Sequence, residues 1–331
     1  MDPHFPQSGR PLQQPSNFLP PHPVQAAEAP TARRAVPHLL NLVLFLVTVV
    51  TVFGAGALQV ARPEDHFSLN LLLRGWVFAV PLLSILLAHE FGHYIAARLH
   101  GVPASLPYFI PMPPMFSPFG TMGAVISMRG RIKSRQALVD IGAAGPLSGM
   151  MVALPVIVWG LLHSQVRLVE PGGMLEGESV LYLILKRLTV GAIPPGHDVF
   201  LHPVAFAGWA GFFVTMINLI PVGQLDGGHI AYALFGPVQN KLGRAVHWGL
   251  LGLAAVIAST RLALGAPLGT AIESSAFWLV WFTMLFVLGR FGGRDHPPTE
   301  AGQLGPTRTI VAVVSLLLFV LLFMPTPLFQ N

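Results

Sequence analysis

Two histidines four residues apart, His89 and His93, flank a glutamate, Glu90, within a long apolar stretch of the chain. Residues four apart share one face of a helix, so both imidazoles can bind the same metal ion. Zinc suits neutral imidazole ligands and leaves a position open for water, which then becomes a nucleophile near neutral pH. Glu90 would lie beside that water, as a general base must. The spacing therefore predicts a hydrolytic zinc site.

Asp226 is the candidate for the third ligand that such a site needs. Ionisable groups are costly inside a bilayer and indicate function by default, and Glu90 and Asp226 are the two acids well inside the apolar runs. The alternative is that Asp226-Gly227-Gly228 forms a turn at a helix end. The nearby His229 is interpreted as a hydrogen-bonded or interface histidine. Because the chain has no cysteine, thiolate ligands are excluded.

Other residues in these runs have less specific interpretations. Asn218 could bind a substrate backbone, or it could satisfy backbone groups that Pro221 leaves open. Three glycines in the third run allow neighbouring helices to approach closely, which is a structural role. They are Gly142, Gly145 and Gly149.

Composition identifies the environment of these residues. The 331 residues are 53% hydrophobic and only 10% charged, whereas about 25% charge is usual in soluble domains. An ordinary soluble enzyme is therefore excluded. The net charge of +5 does not indicate nucleic-acid binding, because the basic residues lie at the ends of apolar runs, as membrane topology signals do. The predicted partner is the lipid bilayer.

Seven apolar runs predict an all-α, polytopic integral membrane protein with about seven transmembrane helices. They are 38–60, 73–97, 138–162, 204–222, 246–265, 275–289 and 309–327. A cytoplasmic N-terminus leaves thirteen of the 19 basic residues inside and six outside, in agreement with the positive-inside rule. Residues 1–37 are not Ser-rich like a transit peptide, so a prokaryotic cell membrane is expected.

The domain organisation follows from these runs. Residues 1–37 contain nine prolines and predict a disordered cytoplasmic tail before the first transmembrane helix, 38–60. The catalytic membrane core is placed at 73–235, with C-terminal transmembrane helices in 236–331. Within the core, 101–135 contains too many prolines for a helix, so a re-entrant or strand-containing segment is expected there, with a short strand or hairpin within 119–128.

Three motifs in successive runs resemble those of the site-2 protease family, the intramembrane zinc metalloproteases of peptidase family M50. They are His89-Glu90-x-x-His93, Gly145-Pro146-x-x-Gly149 and Asn218-x-x-Pro221-x-x-x-x-Asp226-Gly227. The resemblance implies that His89, His93 and Asp226 bind zinc, that Glu90 is the catalytic base and that Asn218 binds substrate. It also implies that 119–128 faces the bound peptide. The loop 163–203 is too short for a PDZ domain, which favours the compact branch of the family.

The resemblance implies an intramembrane zinc metalloendopeptidase acting in regulated intramembrane proteolysis. It would cleave transmembrane protein substrates by attack of a zinc-bound water. An unwound substrate could pair with the proline-broken segment by strand addition. The alternatives from other classes are a metal transporter and a proteolytically inactive membrane scaffold. The sequence identifies neither the substrate nor the oligomeric state.

Overall fold

A computed structural model describes residues 38–66, 68–128, 130, 132–169, 172–292, 295–300 and 302–330. The predicted proline-rich tail, 1–37, lies outside the described residues. The described residues are mostly helical, and their helices are α1 (His38–Val60), α2 (Leu69–Arg74), α3 (Trp76–Leu99), α4 (Arg135–Leu162), α5 (Val180–Thr189), α6 (Pro203–Asn218), α7 (Asp226–Phe235), α8 (Val238–Ala263), α9 (Leu268–Gly292) and α10 (Pro306–Leu322).

Three small antiparallel sheets accompany the helices. The expectation of an all-α chain is therefore correct for most of the described residues but not for these strands. They pair β1 (Tyr108–Pro111) with β2 (Thr121–Val125), β3 (Gln165–Leu168) with β5 (His197–Phe200), and β4 (Met174–Glu176) with β6 (Leu328–Gln330). The strand predicted within 119–128 is present as β2. Among the described residues β2 pairs with β1 alone, so its other edge carries no strand.

Five helices are long and apolar enough to cross a membrane, namely α1, α3, α4, α8 and α9. The chain is therefore a membrane protein. The shorter apolar helices α6 and α10 have 16 and 17 residues, so the predicted count of seven spans is not established by length. Helix α6 ends at Asn218 rather than 222, since Pro221 cannot continue it. Helix α9 begins at Leu268 rather than 275, because Glu273 interrupts the apolar run without interrupting the helix.

Helices α3, α4 and α6 form the centre of the bundle. Phe78, Trp209 and Phe212 are fully buried there. Close approach of backbones makes this packing possible: Gly160 of α4 lies against the backbone of Ala205 of α6, where a Cβ would overlap it. Because lipid is as apolar as these side chains, such tight packing rather than exclusion of water holds the helices together.

The connection between α4 and α6 is held by a buried ammonium group. Lys186 of α5 is only 3% exposed and bonds Asp198 at 2.8 Å and Glu178 at 2.9 Å. The Tyr182 hydroxyl donates to Glu176 of β4 at 2.7 Å. Since β4 also pairs with β6, this connection is tied to the end of the chain.

Candidate metal centre

Three side chains from two helices converge at one point between α3, α4 and α7. His89 and His93 project from the same face of α3, and Asp226 is the first residue of α7. The two Nε2 atoms lie 3.2 Å apart, and Asp226 Oδ2 is 3.1 Å from His93 Nε2 and 3.4 Å from His89 Nε2. The structure thus brings together the three ligands predicted from the sequence.

The hydrogen bonding of His93 shows that this cluster fits a cation. His93 Nδ1 donates to the backbone carbonyl of Ile141 at 2.7 Å, so that a neutral His93 ring directs its Nε2 lone pair at the Asp226 carboxylate. Two acceptors 3.1 Å apart repel each other unless a proton or a metal cation lies between them. In a tetrahedral zinc site with bonds of about 2.0–2.1 Å, ligand atoms lie about 3.3 Å apart. The three separations agree with that value, so the residues present fit zinc.

Glycines of α4 make room for the two imidazoles. A Cβ at Gly145 would overlap the His93 ring, and a Cβ at Gly149 would lie 3.2 Å from His89 Cβ and Nδ1. The Ser148 hydroxyl donates to the carbonyl of Ala88 at 2.8 Å, which fixes α4 against α3 beside the cluster. The close-packing role predicted for these glycines is therefore observed, and the packing partners are the candidate ligands themselves.

Asp226 reaches the cluster because the chain reverses between α6 and α7. A Cβ at Gly227 would overlap the carbonyl of Leu219, so α7 can begin next to the end of α6 only with glycine there. Gly223 has a φ of +56°, a conformation that glycine adopts at little cost. The Asp-Gly-Gly sequence is thus a helix start, and this start directs its carboxylate towards the two histidines. The two interpretations of Asp226 are compatible.

Glu90 and Asn218 lie at the same site. Glu90 is 5% exposed and, with the three candidate ligands, lines a cavity of about 170 Å³. Among the described residues no hydrogen bond or ion pair engages its carboxylate, so the group is free to accept a proton. Asn218, the last residue of α6, places Nδ2 3.2 Å from His89 Nε2.

A second histidine pair adjoins the cluster, and the sequence predicted one of its members. His229 lines the same cavity, and its Nδ1 lies 2.7 Å from Nε2 of His296, so its interpretation as a hydrogen-bonded histidine is confirmed. His296 lies between α9 and α10, where burial lowers its pKa, and its Nδ1 donates to the carbonyl of Pro297. Neutral His296 therefore accepts a hydrogen bond from His229. No local signal in the sequence marked His296.

Comparison with known proteins places this site in a family. The model of peptidase family M50 matches residues 77–258, which contain every candidate site residue. The chain is 30% identical over 312 residues to the probable zinc metalloprotease EGY1, chloroplastic, of Arabidopsis thaliana, covering 87% of this chain and 53% of that protein. It is 29% identical over 283 residues to the probable zinc metalloprotease EGY2, chloroplastic, of Oryza sativa subsp. indica, covering 83% and 48%.

The chain spans about half the length of these curated relatives. Both are named as chloroplast proteins, so they do not support the expectation of a prokaryotic cell membrane. No solved structure matches the chain. The described residues contain no PDZ domain. Because the family model covers more than half of the sequence and includes the whole cluster, the chain belongs to peptidase family M50, the site-2 protease family.

Proposed function

We propose that this protein is an intramembrane zinc metalloendopeptidase that cleaves transmembrane protein substrates. The observation that carries the proposal is the convergence of three lone pairs, from His89, His93 and Asp226, beside the free carboxylate of Glu90. Family membership and relatives named as zinc metalloproteases support it. The roles of these residues are part of the proposal.

The three candidate ligands and Glu90 would have different roles in the reaction: the ligands hold the metal, and Glu90 transfers the proton. Zinc held by the two histidines and Asp226 would supply Lewis acidity, which polarises a carbonyl and lowers the pKa of water. Glu90 takes a proton from the water that attacks the scissile carbonyl, so that a C–O bond forms. It then delivers that proton to the leaving nitrogen as the C–N bond breaks. The amide of Asn218 would hold the substrate backbone.

The substrate must be extended for this attack, because a helix hides its peptide groups within its own hydrogen bonds. Strand β2 supplies a partner for an extended chain. Its unpaired edge belongs to a segment whose residues Ala124, Val125 and Ile126 line the cavity that contains the candidate ligands. A substrate added to that edge would pass the cluster by strand addition.

The membrane arrangement that we propose retains the seven spans predicted from the sequence. The five long helices would cross fully, and α6 and α10 would cross within the bundle, where protein satisfies the backbone beyond their ends. Residues 73–235 would form the catalytic core and 236–331 the C-terminal helices. The side richer in basic residues, which carries the N-terminus, would be the cytoplasmic side or its equivalent in an organelle.

Reconstitution into liposomes tests this function against the main alternative. We expect purified protein to cleave an embedded transmembrane peptide, to lose that activity on zinc chelation and to recover it on zinc addition. A transporter would instead move zinc across the liposome membrane without cleaving peptide. One His/Asp cluster of this kind occurs among the described residues, whereas transport would need a file of ligands across the bundle. Zinc flux without cleavage would overturn the proposal.

A further inference from the structure

We propose that an apolar cavity beside the metal centre binds one bulky apolar or aromatic side chain of the substrate, within two residues of the bond that is cut. The inference rests on the proposed function and specifies its substrate class: membrane segments with a large apolar residue next to the cleavage position. The cavity has a volume of about 390 Å³, within the usual range for ligand pockets.

The cavity adjoins the metal centre directly. Glu90, Ala124 and Asn218 line both this apolar cavity and the cavity that contains the candidate ligands. A group seated in the apolar cavity therefore lies next to the candidate base. That position is suited to a side chain of the reacting peptide.

Strand β2 connects the two cavities along its length. Residues 121–124 line the apolar cavity, and residues 124–126 line the metal cavity. Strand residues advance about 3.3 Å each, so a peptide paired beside β2 spans both spaces within a few residues. With a carbonyl at the metal centre, a side chain one or two positions away reaches the apolar cavity.

The lining selects for apolar groups. Phe213 of α6, Phe277 and Trp281 of α9, and Phe119 contribute aromatic faces. The polar side chains that line it beside Glu90 and Asn218 are engaged elsewhere: Ser117 donates to the carbonyl of Thr121, and Thr121 donates to that of Ile110. A polar substrate side chain would lose its hydration there without gaining a partner.

The far wall is formed by parts of the chain outside the segment that matches the family model, 77–258. Phe277 and Trp281 come from α9, and Pro327 and Leu328 come from the C-terminal segment that β6 fixes against β4. Trp278 Nε1 also donates to the carbonyl of Pro325 at 2.6 Å, which holds this segment against α9. The selectivity that we propose thus depends in part on residues outside that segment.

Two substitutions with opposite effects on the volume test the proposal. Val214→Phe fills the cavity from α6, and Trp281→Ala enlarges it from α9. The substrates are transmembrane peptides that differ in having Ala, Leu, Phe or Trp at one position near the cleavage site. Val280→Ala is the matched control, since Val280 is on the same helix as Trp281 but is 64% exposed and does not line the cavity.

We expect the wild type and Val280→Ala to cleave the Phe peptide at least about tenfold faster than the Ala peptide. Val214→Phe should lose that preference, so that the Phe peptide is cleaved no faster than the Ala peptide. Trp281→Ala should shift the preference towards Trp. Unchanged ratios among the four peptides in both variants would overturn the proposal. A uniform loss of rate, which leaves the ratios unchanged, is one such outcome.

Cross-linking tests the cavity even if no peptide is cleaved. In the Glu90→Gln protein, a transmembrane peptide with a benzophenone side chain at the selective position should label α9 or residues 112–124. The same peptide without the photoreactive group should compete. Labelling by a photoreactive phospholipid that the peptide does not displace would assign the cavity to lipid and overturn the proposal, as would absence of peptide labelling. Absence of cleavage by the wild type would count against the proposed function alone.

Discussion

Gly145 of α4 lies directly against the imidazole of His93 on α3, and a methyl group at position 145 would overlap the ring. The same imidazole donates through Nδ1 to the carbonyl of Ile141, one turn earlier on α4. Helix α4 therefore fixes both the position and the orientation of a candidate ligand although it contributes no ligand itself. Mutation of residues that orient ligands in this way typically lowers metal affinity about 10–100-fold.

We expect Gly145→Ala to weaken zinc binding by about tenfold or more, because the added Cβ must displace the His93 ring from Asp226. Titration of the purified protein with zinc against a competing chelator measures the change. Gly249→Ala on α8 is the matched control, since no heavy atom lies within 4 Å of a Cβ at that position. Equal affinities for the two variants would show that α4 does not position His93.

The ligand assignment predicts the metal content of three variants. His93→Ala and Asp226→Asn should reduce bound zinc well below about one ion per chain, because each removes one of three donors in a site that needs them all. His38→Ala, at the exposed start of α1, should leave zinc unchanged. Metal analysis of the purified proteins measures the zinc content per chain. Full zinc occupancy in Asp226→Asn would show that another residue provides the third ligand.

The pairing of His89 with His93 on α3 was predictable from their spacing, because residues four apart on any helix share a face. Asp226 was predictable for a different reason: few acids lie within or next to the apolar runs, and Asp226 is one of them. By contrast, His296 is 67 residues from His229 in the sequence, and β6 is about 150 residues from β4. Only tertiary packing brings these pairs into contact, so local sequence patterns do not predict them. The predicted end of α6 was also wrong. Hydropathy shows only how far an apolar stretch extends, and this stretch continues to 222, whereas the helix ends at Asn218 ahead of Pro221.

The ammonium group of Lys186 should contribute measurably to stability. Lys186→Met leaves the Asp198 and Glu178 carboxylates without their buried partner and should lower the free energy of unfolding by about 3 kcal/mol or less, since Glu178 is partly exposed. Thermal unfolding in detergent measures the difference. Arg187→Met, at the exposed neighbouring position, should have little effect. Equal melting temperatures for the two variants would contradict the contribution of the buried ion pairs.

The same group predicts a pH dependence. Burial lowers the pKa of Lys186, but hydrogen bonds to Asp198 and Glu178 outweigh burial and raise the pKa above its ordinary value of 10.5. The folded state therefore retains this proton more strongly than the unfolded state. Its contribution is fully present below about pH 10.5 and is lost as the pH rises through the folded-state pKa. The stability difference between wild type and Lys186→Met should shrink above that pH; a constant difference would contradict the assignment.

The His229–His296 hydrogen bond predicts a further loss of stability. His296→Phe keeps a ring that can stack on Tyr232, whose centroid lies 4.2 Å from that of His296, but it removes the acceptor for His229 Nδ1. A buried donor without a partner costs about 1–3 kcal/mol. Thermal unfolding should show this decrease in His296→Phe and not in His197→Ala, an exposed control. An unchanged melting temperature would show that the bond contributes nothing.

The central claim is that Glu90 acts as the base beside a metal held by His89, His93 and Asp226. Its most direct test is the Glu90→Gln protein, which preserves shape and removes the proton acceptor. Zinc content and cleavage of an embedded peptide are measured on the same preparation. We predict zinc occupancy equal to that of the wild type with cleavage reduced about 100-fold or more. Wild-type turnover in the zinc-loaded variant would contradict the claim.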